Sequence, residues 1–380
     1  MAFVSGPRQV GKTTTCRSLH RDAHYLNWDD QDDRRLITRG PKAIARELAL
    51  EKLADERPLL VLDEVHKYRR WRTFLKGLFD AYADRTRIVV TGSARLDLYR
   101  RGGDSLMGRY LPYRIHPLSV GELLVPEPHD EEIAHPSRLS EARWAALWQH
   151  GGFPEPFAKR DARFTRRWRT LRTQQLVRED VRDLTRVQEL AQLEILVTLL
   201  AERAGSQLSY SSLAREVNVS VDTTRRWIDT LCSLYHGFLV RPWFRNVAKS
   251  LRKEPKWFLR DWSGIKDVGA RSENFIACHL LKAVETWVDA GLGDYQLRYL
   301  RDKQKREVDF VVIREGKPWF LVEVKHRDET LSPSLAYFQE QVGAPHAVQV
   351  VIDIPYVAAD CFERTNPCVV PARTLLSQLP

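Results

Sequence analysis

The sequence predicts an α/β protein in three parts: a parallel sheet with helices on both faces, then three helices and a hairpin, then a second α/β unit. Three observations predict it. Short fully apolar runs (AFVS, LLVL, IVV) alternate with helical stretches over residues 1–125. A strand running apolar on both faces needs cover on both faces, which is the condition of a parallel sheet. Residues 190–262 change to helix-length periodicity followed by two short strands, and residues 263–380 open on a helix and return to strands.

In the first part, AFVSG (2–6) reads as a strand entering a glycine turn, HYLNWDD (24–30) as a second short strand, and PLLVLDEV (58–65) and RIVVTGSA (87–94) as buried strands. WRTFLKGLFDAYA (71–83) has helical periodicity. VPEPHDEEIAHPS (125–137) is acidic and proline-bearing, so it reads as a surface connection opening a helical linker over 126–189. Residues 158–186 are dense in arginine. They form either a solvated helix face or a phosphate-contacting arm.

Over 190–262, LEILVTLLAERAG, LSYSSLAREVNV and SVDTTRRWIDTLCSLY give three helices, with Ser220 as N-cap of the third. GFLVRPWF and KWFLRDW give two strands. Three helices and a hairpin is winged-helix order. Over 263–380, the order is helix (SENFIACHLLKAVETWV), three strands (YQLRYLR, REVDFVVI, PWFLVEVK), helix (LAYFQEQVG) and strand (HAVQVVID).

The 380 residues carry a formal charge of +10, which permits nucleic-acid contact without requiring it. No window resembles a membrane span of ~20 apolar residues, and the N-terminus is not patterned as a signal peptide, so a cytoplasmic location is expected, with no membrane partner. The five cysteines have no CxxC spacing, which argues against a zinc site or a disulfide framework.

The most specific chemistry lies at Gly6-Pro7-Arg8-Gln9-Val10-Gly11-Lys12-Thr13, followed by Thr14. It fits GxxxxGK[ST] at every fixed position, after a strand and before a helix. The glycines let backbone N–H groups close on phosphates, Lys12 reaches the β- and γ-phosphates, and Thr13 ligates Mg²⁺. The partner motif is the strand 59–62 ending in Asp63-Glu64. Asp63 would hold the Mg²⁺ and its waters, and Glu64 would polarise the attacking water. ATP and Mg²⁺ are therefore the expected cofactors. Ser93 is the candidate for orienting that water, with Thr91 second, unless this stretch is only a strand-ending turn. Arg109 is the candidate cation for the developing charge, in cis or on a neighbouring subunit, the alternative being a surface arginine. Action on a neighbour would require a homo-oligomer.

These residues carry a resemblance. GPRQVGKTT, YLNWDD, LLVLDEVHKYRRW, TGSARLDLYRRGG and GRYLPYRIHPLSVGEL, with GGFPEPF and KWFLRDW further on, make nearly the whole chain resemble prokaryotic AAA-type ATPases with a C-terminal DUF4143 domain. The resemblance implies a P-loop NTPase fold, a winged helix and a terminal domain like restriction endonucleases. The element order of 270–355 agrees with a PD-(D/E)xK core. Asp309 lies on its second strand, and Glu323 and Lys325 share one face of its third. Asp309 and Glu323 are candidates to share a Mg²⁺, Lys325 to orient water, and Glu273 on the preceding helix to be a fourth member. The readings left open are an active nuclease, nucleic-acid binding without cleavage, and exposed structural charges. Arg225 and Arg226, in Thr223-Thr224-Arg225-Arg226-Trp227, are candidates for DNA contact, though winged helices also bind proteins. DNA is thus the expected macromolecular partner. The alternative is a nucleotide-switched protein-interaction module with an inactive nuclease-like domain.

Overall fold

In the computed structural model, strand β1 (Ala2–Ser5) enters the glycine turn and helix α1 (Lys12–Ser18) leaves it. The structure describes residues 1–52, 56–92, 106–125, 131–181, 190–244 and 253–380. These fall into two compact units, Met1–His116 and Pro117–Pro380.

The first unit continues with β2 (His24–Asn27), α2 (Gln31–Thr38), α3 (Pro41–Glu47), β3 (Leu59–Asp63), α4 (Trp71–Tyr82), β4 (Arg87–Thr91) and β5 (Leu111–Arg114). Its sheet is all parallel in the order β2-β3-β4-β1-β5. The alternation of a strand explains the unbroken apolar run of β3. Leu60 and Leu62 pack with Phe3, Ile37, Ile44, Leu75 and Val90 on one face, and Leu59 and Val61 with Val4, Cys16 and Val89 on the other. Of HYLNWDD only residues 24–27 are strand. Asp30 instead caps α2, accepting from the N–H groups of Asp32 and Asp33.

The second unit runs through α5 (Val120–Leu124), α6 (Glu141–His150), α7 (Pro154–Lys159) and α8 (Ala162–Gln175), which carries the arginine-dense stretch. Then come α9 (Leu190–Glu202), α10 (Tyr210–Val217), α11 (Val221–Ser233), β6 (Gly237–Pro242) and β7 (Lys256–Leu259). The last elements are α12 (Val268–Asp289), β8 (Tyr295–Arg301), β9 (Glu307–Arg314), β10 (Lys317–Lys325), α13 (Pro333–Val342), β11 (His346–Val351), β12 (Cys368–Pro371) and α14 (Ala372–Ser377).

The three helices and antiparallel β6–β7 hairpin follow the order read from the sequence. The hairpin is not a separate wing, however. Arg241 and Pro242 pair in parallel with Arg298 and Tyr299, so β6 and β7 end a seven-stranded sheet in the order β12-β11-β10-β9-β8-β6-β7. One mixed sheet therefore runs across the division expected at 262/263, and it places β7 near the nuclease-like strands. Among the described residues no helix is long and apolar enough to cross a membrane.

Candidate functional site

The glycine turn is shaped by what touches it. Gly6 has φ +151, and a Cβ there would stand 2.3 Å from the carbonyl oxygen of Ile115. Gly11 is left-handed at φ 98 as it starts α1. The Lys12 ammonium folds back into the loop, donating to Gly6 O at 3.0 Å and Pro7 O at 2.7 Å. Burial lowers its pKa to about 8, against an opposing pull from Glu64 and Asp63. Arg8, Gln9 and Thr14 are exposed along the same turn, and Pro7 and Val10 are buried.

Because β4 lies between β1 and β3, Thr91 ends its strand beside both the loop strand and Asp63. Asp63 gathers three hydroxyl donors. Thr13 donates to Oδ2 at 2.9 Å, Tyr25 donates to Oδ2 at 2.5 Å, and Thr91 makes a short bond to Oδ1. Burial alone would raise the Asp63 carboxyl, but the bonds from Thr91, Tyr25 and Thr13 outweigh it and hold the group below the usual range. An ionised carboxylate beside a threonine hydroxyl is the donor set that fits Mg²⁺. Glu64 follows in a left-handed conformation (φ 55), its N–H donating to Thr91 O at 3.1 Å. Its carboxylate lies 3.3 Å from Lys67 Nζ and 3.5 Å from His66 Nε2.

Ser93 lies outside the described residues. Arg109 forms a two-point ion pair with Asp80 near the end of α4, at 2.7 and 3.1 Å. Its carbonyl accepts from the Met1 amine at 2.9 Å, which puts it at the start of β1, the opposite end of that strand from the P-loop. This placement does not bring Arg109 to the phosphate loop of its own chain.

At one end of the second sheet, α12, β7, β9 and β10 bring the four expected nuclease-like residues together and add two more. Lys325 Nζ donates to Glu323 Oε1 at 2.8 Å, and the Val324 N–H donates to Asp309 Oδ2 at 2.9 Å. The additions are Lys256, from β7, and Glu307. The Lys256 ammonium lies 2.8 Å from Glu273 Oε1, 2.6 Å from Glu307 Oε1 and 3.3 Å from Asp309 Oδ1. Burial would lower the Lys256 pKa, but the three carboxylates outweigh it and hold the ammonium charged. Burial first, then Asp309, pushes the Glu273 carboxyl up to about 8, as expected where several acids share one cation. Burial and Asp309 also raise Glu323, against the pull of Lys325. The Mg²⁺ expected between Asp309 and Glu323 therefore meets a different geometry: Asp309 is turned to an ammonium and a backbone N–H. Among the described residues no group of three or more His, Cys, Asp and Glu side chains is disposed to hold a metal ion.

Residues 1–124 match the family model of an AAA domain. This part of the chain is an AAA-type domain. Residues 141–266 and 268–357 match two domains of unknown function, DUF8612 and DUF4143. An uncharacterized protein of Mycobacterium tuberculosis is 26% identical over 351 residues, covering 88% of this chain and 72% of that protein. An uncharacterized protein of Haemophilus influenzae is 23% identical over 282 residues, covering 70% of this chain and 66% of that one. Among solved structures, the Orc1 protein of Aeropyrum pernix in complex with DNA is 16% identical, covers 73% of this chain and 87% of its own, and has a TM-score of 0.33.

Outside the AAA domain, α11 presents the residues expected for DNA contact. Ser220 caps it by accepting from the Thr223 N–H at 3.0 Å, and Trp227, Ile228 and Leu231 are buried. Arg225 and Arg226 are left exposed, the Arg225 guanidinium 5.2 Å from the centre of the Tyr210 ring. Sequence reasoning missed Tyr25, Glu307 and Lys256. Tyr25 read only as a strand residue, and its reach to Asp63 depends on β2 pairing beside β3. Glu307 had a faint signal, two residues before Asp309 on one strand face. Lys256 had none, because it stands 53 residues from Asp309 and meets it only through the shared sheet.

Proposed function

We propose that the AAA domain binds Mg·ATP and hydrolyses it, and that the chain couples this cycle to DNA in the cytoplasm. The observation that carries the reading is the 2.9 Å bond between Thr13 and Asp63, fifty residues apart and at the ends of the two motifs. Lys12 is already at the phosphate loop, and its ammonium would exchange the Gly6 and Pro7 carbonyls for the β- and γ-phosphates. Mg²⁺ held through Thr13 and Asp63 would neutralise phosphate charge. Glu64, once released from Lys67, is the general base for water. Thr91 ends the neighbouring strand, where a polar group can orient that water, and Ser93 is the sequence candidate for the same task. Arg109 keeps only a role on a neighbouring subunit, which would require a homo-oligomer. Exposed Arg225 and Arg226 support contact with DNA phosphates.

ATP turnover measured with and without duplex DNA tests the reading. Lys12→Ala should lose nucleotide binding. Glu64→Gln should keep binding and lose at least ~100-fold in kcat, the usual contribution of a general base. DNA should stimulate the native protein. A nucleotide-switched protein-interaction module is the second reading. It is favoured by the Lys256 ammonium set among the nuclease-like carboxylates, and turnover indifferent to DNA would select it.

A further inference from the structure

Lys256 is an unusual member of the carboxylate cluster, because it enters from the winged-helix part rather than from the nuclease-like motif. It opens β7, a strand whose four residues are all buried. Its side chain is 4% exposed, and its three carboxylate neighbours can take all three ammonium protons. Two of them are residues the sequence singles out: Asp309 as a candidate metal ligand and Glu273 as a candidate fourth member of the same site. A divalent ion needs carboxylate oxygens at about 2.0–2.6 Å, so it and the ammonium cannot use the same oxygens together.

The strand is fixed in place. Gly205 N–H donates to Trp257 O at 2.8 Å, Trp257 N–H to Ser206 O at 3.0 Å and Leu208 N–H to Pro255 O at 2.8 Å. The Tyr299 hydroxyl donates to Glu254 O at 2.7 Å. The α9–α10 loop thus lies along β7 and pins it. Gly205 (φ +80) comes so close that a Cβ there would be 3.1 Å from Glu273 Oε2. Lys256 cannot leave the acids by extensive movement of its side chain alone without losing its burial.

We propose that Lys256 is a tethered cation that closes the Glu273–Asp309 cluster to divalent metal, so that the nuclease-like sheet is inactive towards phosphodiesters while the β6–β7 hairpin is seated. The closure belongs to the winged-helix part and is independent of the ATP site. Only withdrawal of β7, or loss of the lysine charge, opens the acids to a divalent ion.

The test uses the full chain without nucleotide and Mn²⁺ as probe, read by electron paramagnetic resonance and by thermal melting. Native protein and Asp309→Asn are compared first. The expected result is equal Mn²⁺ uptake by the two. Uptake by the native protein that Asp309→Asn removes would overturn the closure, whatever the lysine variants do. Lys256→Met should then melt lower than native, gain about one Mn²⁺ that Asp309→Asn abolishes, and recover melting temperature with Mn²⁺. Its Mn²⁺ affinity at the cluster should exceed the native value at least tenfold. Lys256→Arg, which keeps the charge, should stay closed. A folded Lys256→Met that gains no Mn²⁺ would also overturn the proposal. If Lys256→Met fails to fold, Lys256→Gln replaces it, and the native comparison still decides.

Discussion

The Tyr25 hydroxyl donates to the same carboxylate oxygen of Asp63 that accepts from Thr13. The Arg17 guanidinium lies 3.7 Å from the centre of the Tyr25 ring, on the helix that begins with Lys12. The phenol therefore links the P-loop helix to the end of β3. It also shares an oxygen that Mg²⁺ chemistry would use. Removing it leaves Asp63 with two hydroxyl donors and a freer position. Tyr25→Phe should bind ATP and fold, but its turnover should need about 3–10-fold more Mg²⁺, the scale of one ordinary hydrogen bond at ~0.5–1.5 kcal/mol. A Mg²⁺ titration of ATP turnover reads this directly. An unchanged Mg²⁺ dependence would reduce Tyr25 to a packing residue.

Lys12 gives a pH dependence whose sign follows from its burial. In the free protein its pKa is lowered to about 8. Phosphates beside the ammonium favour the charged form and raise the value again. Below pH 8 the lysine is charged in both states, so this group makes ATP affinity independent of pH. Above pH 8 the free protein loses a proton that the ATP complex keeps. Binding then takes up a proton, and Kd should rise by up to about tenfold per pH unit until the bound-state pKa is reached. Nucleotide titrations from pH 7 to 10 check it. Lys12→Arg, whatever its affinity, should show no inflection, because arginine does not titrate there.

Gly6→Ala tests the loop itself. The added Cβ would meet the Ile115 carbonyl at 2.3 Å in a backbone conformation that alanine avoids. The neighbour is backbone of the segment following β5, so it cannot swing aside as a side chain would. The variant should lose more than about 2 kcal/mol of stability, with the loop displaced. Melting and nucleotide binding should fall together. A variant with native binding would mean that β5 yields instead.

The AAA domain was legible because its chemistry is local. Gly6 to Thr13 form one turn, and Asp63-Glu64 end one strand whose apolar run announces burial on both faces. The hydrogen bond between the motifs follows once β3 and β1 lie in one sheet. The carboxylate cluster of the second sheet was legible in part: Glu323 and Lys325 alternate on one strand, and Asp309 lies on the strand before it. Lys256 escaped because KWFL reads as a wing strand. A lysine at the head of such a strand is ordinarily solvated, and nothing local shows that β6 will pair with β8 and carry β7 to the acids. Arg109 misled for the opposite reason. GRY follows a glycine-rich stretch in the sequence, yet pairing of β5 along β1 sets the arginine beside Met1 and Asp80.

Helix α11 offers a charge-counting test of the proposed DNA contact. Arg225 and Arg226 are adjacent and exposed, so both cannot face one groove in the same way. Adjacent helical residues differ in direction by about 100°, as 3.6 residues per turn requires. Arg225 is held over Tyr210. Each arginine that meets a phosphate releases about one counterion, so its removal should flatten the slope of log K against log salt by ~0.9. Duplex binding at 50–200 mM salt, measured for native protein, Arg225→Ala and Arg226→Ala, sorts the two. The expected result is a slope loss near one unit for at least one of them, with weakening that does not depend on DNA sequence. Equal slopes in all three proteins would remove α11 from the DNA contact. The arginine-dense helix α8 would then be the next surface to substitute, and a protein partner would become the better occupant of the winged helix.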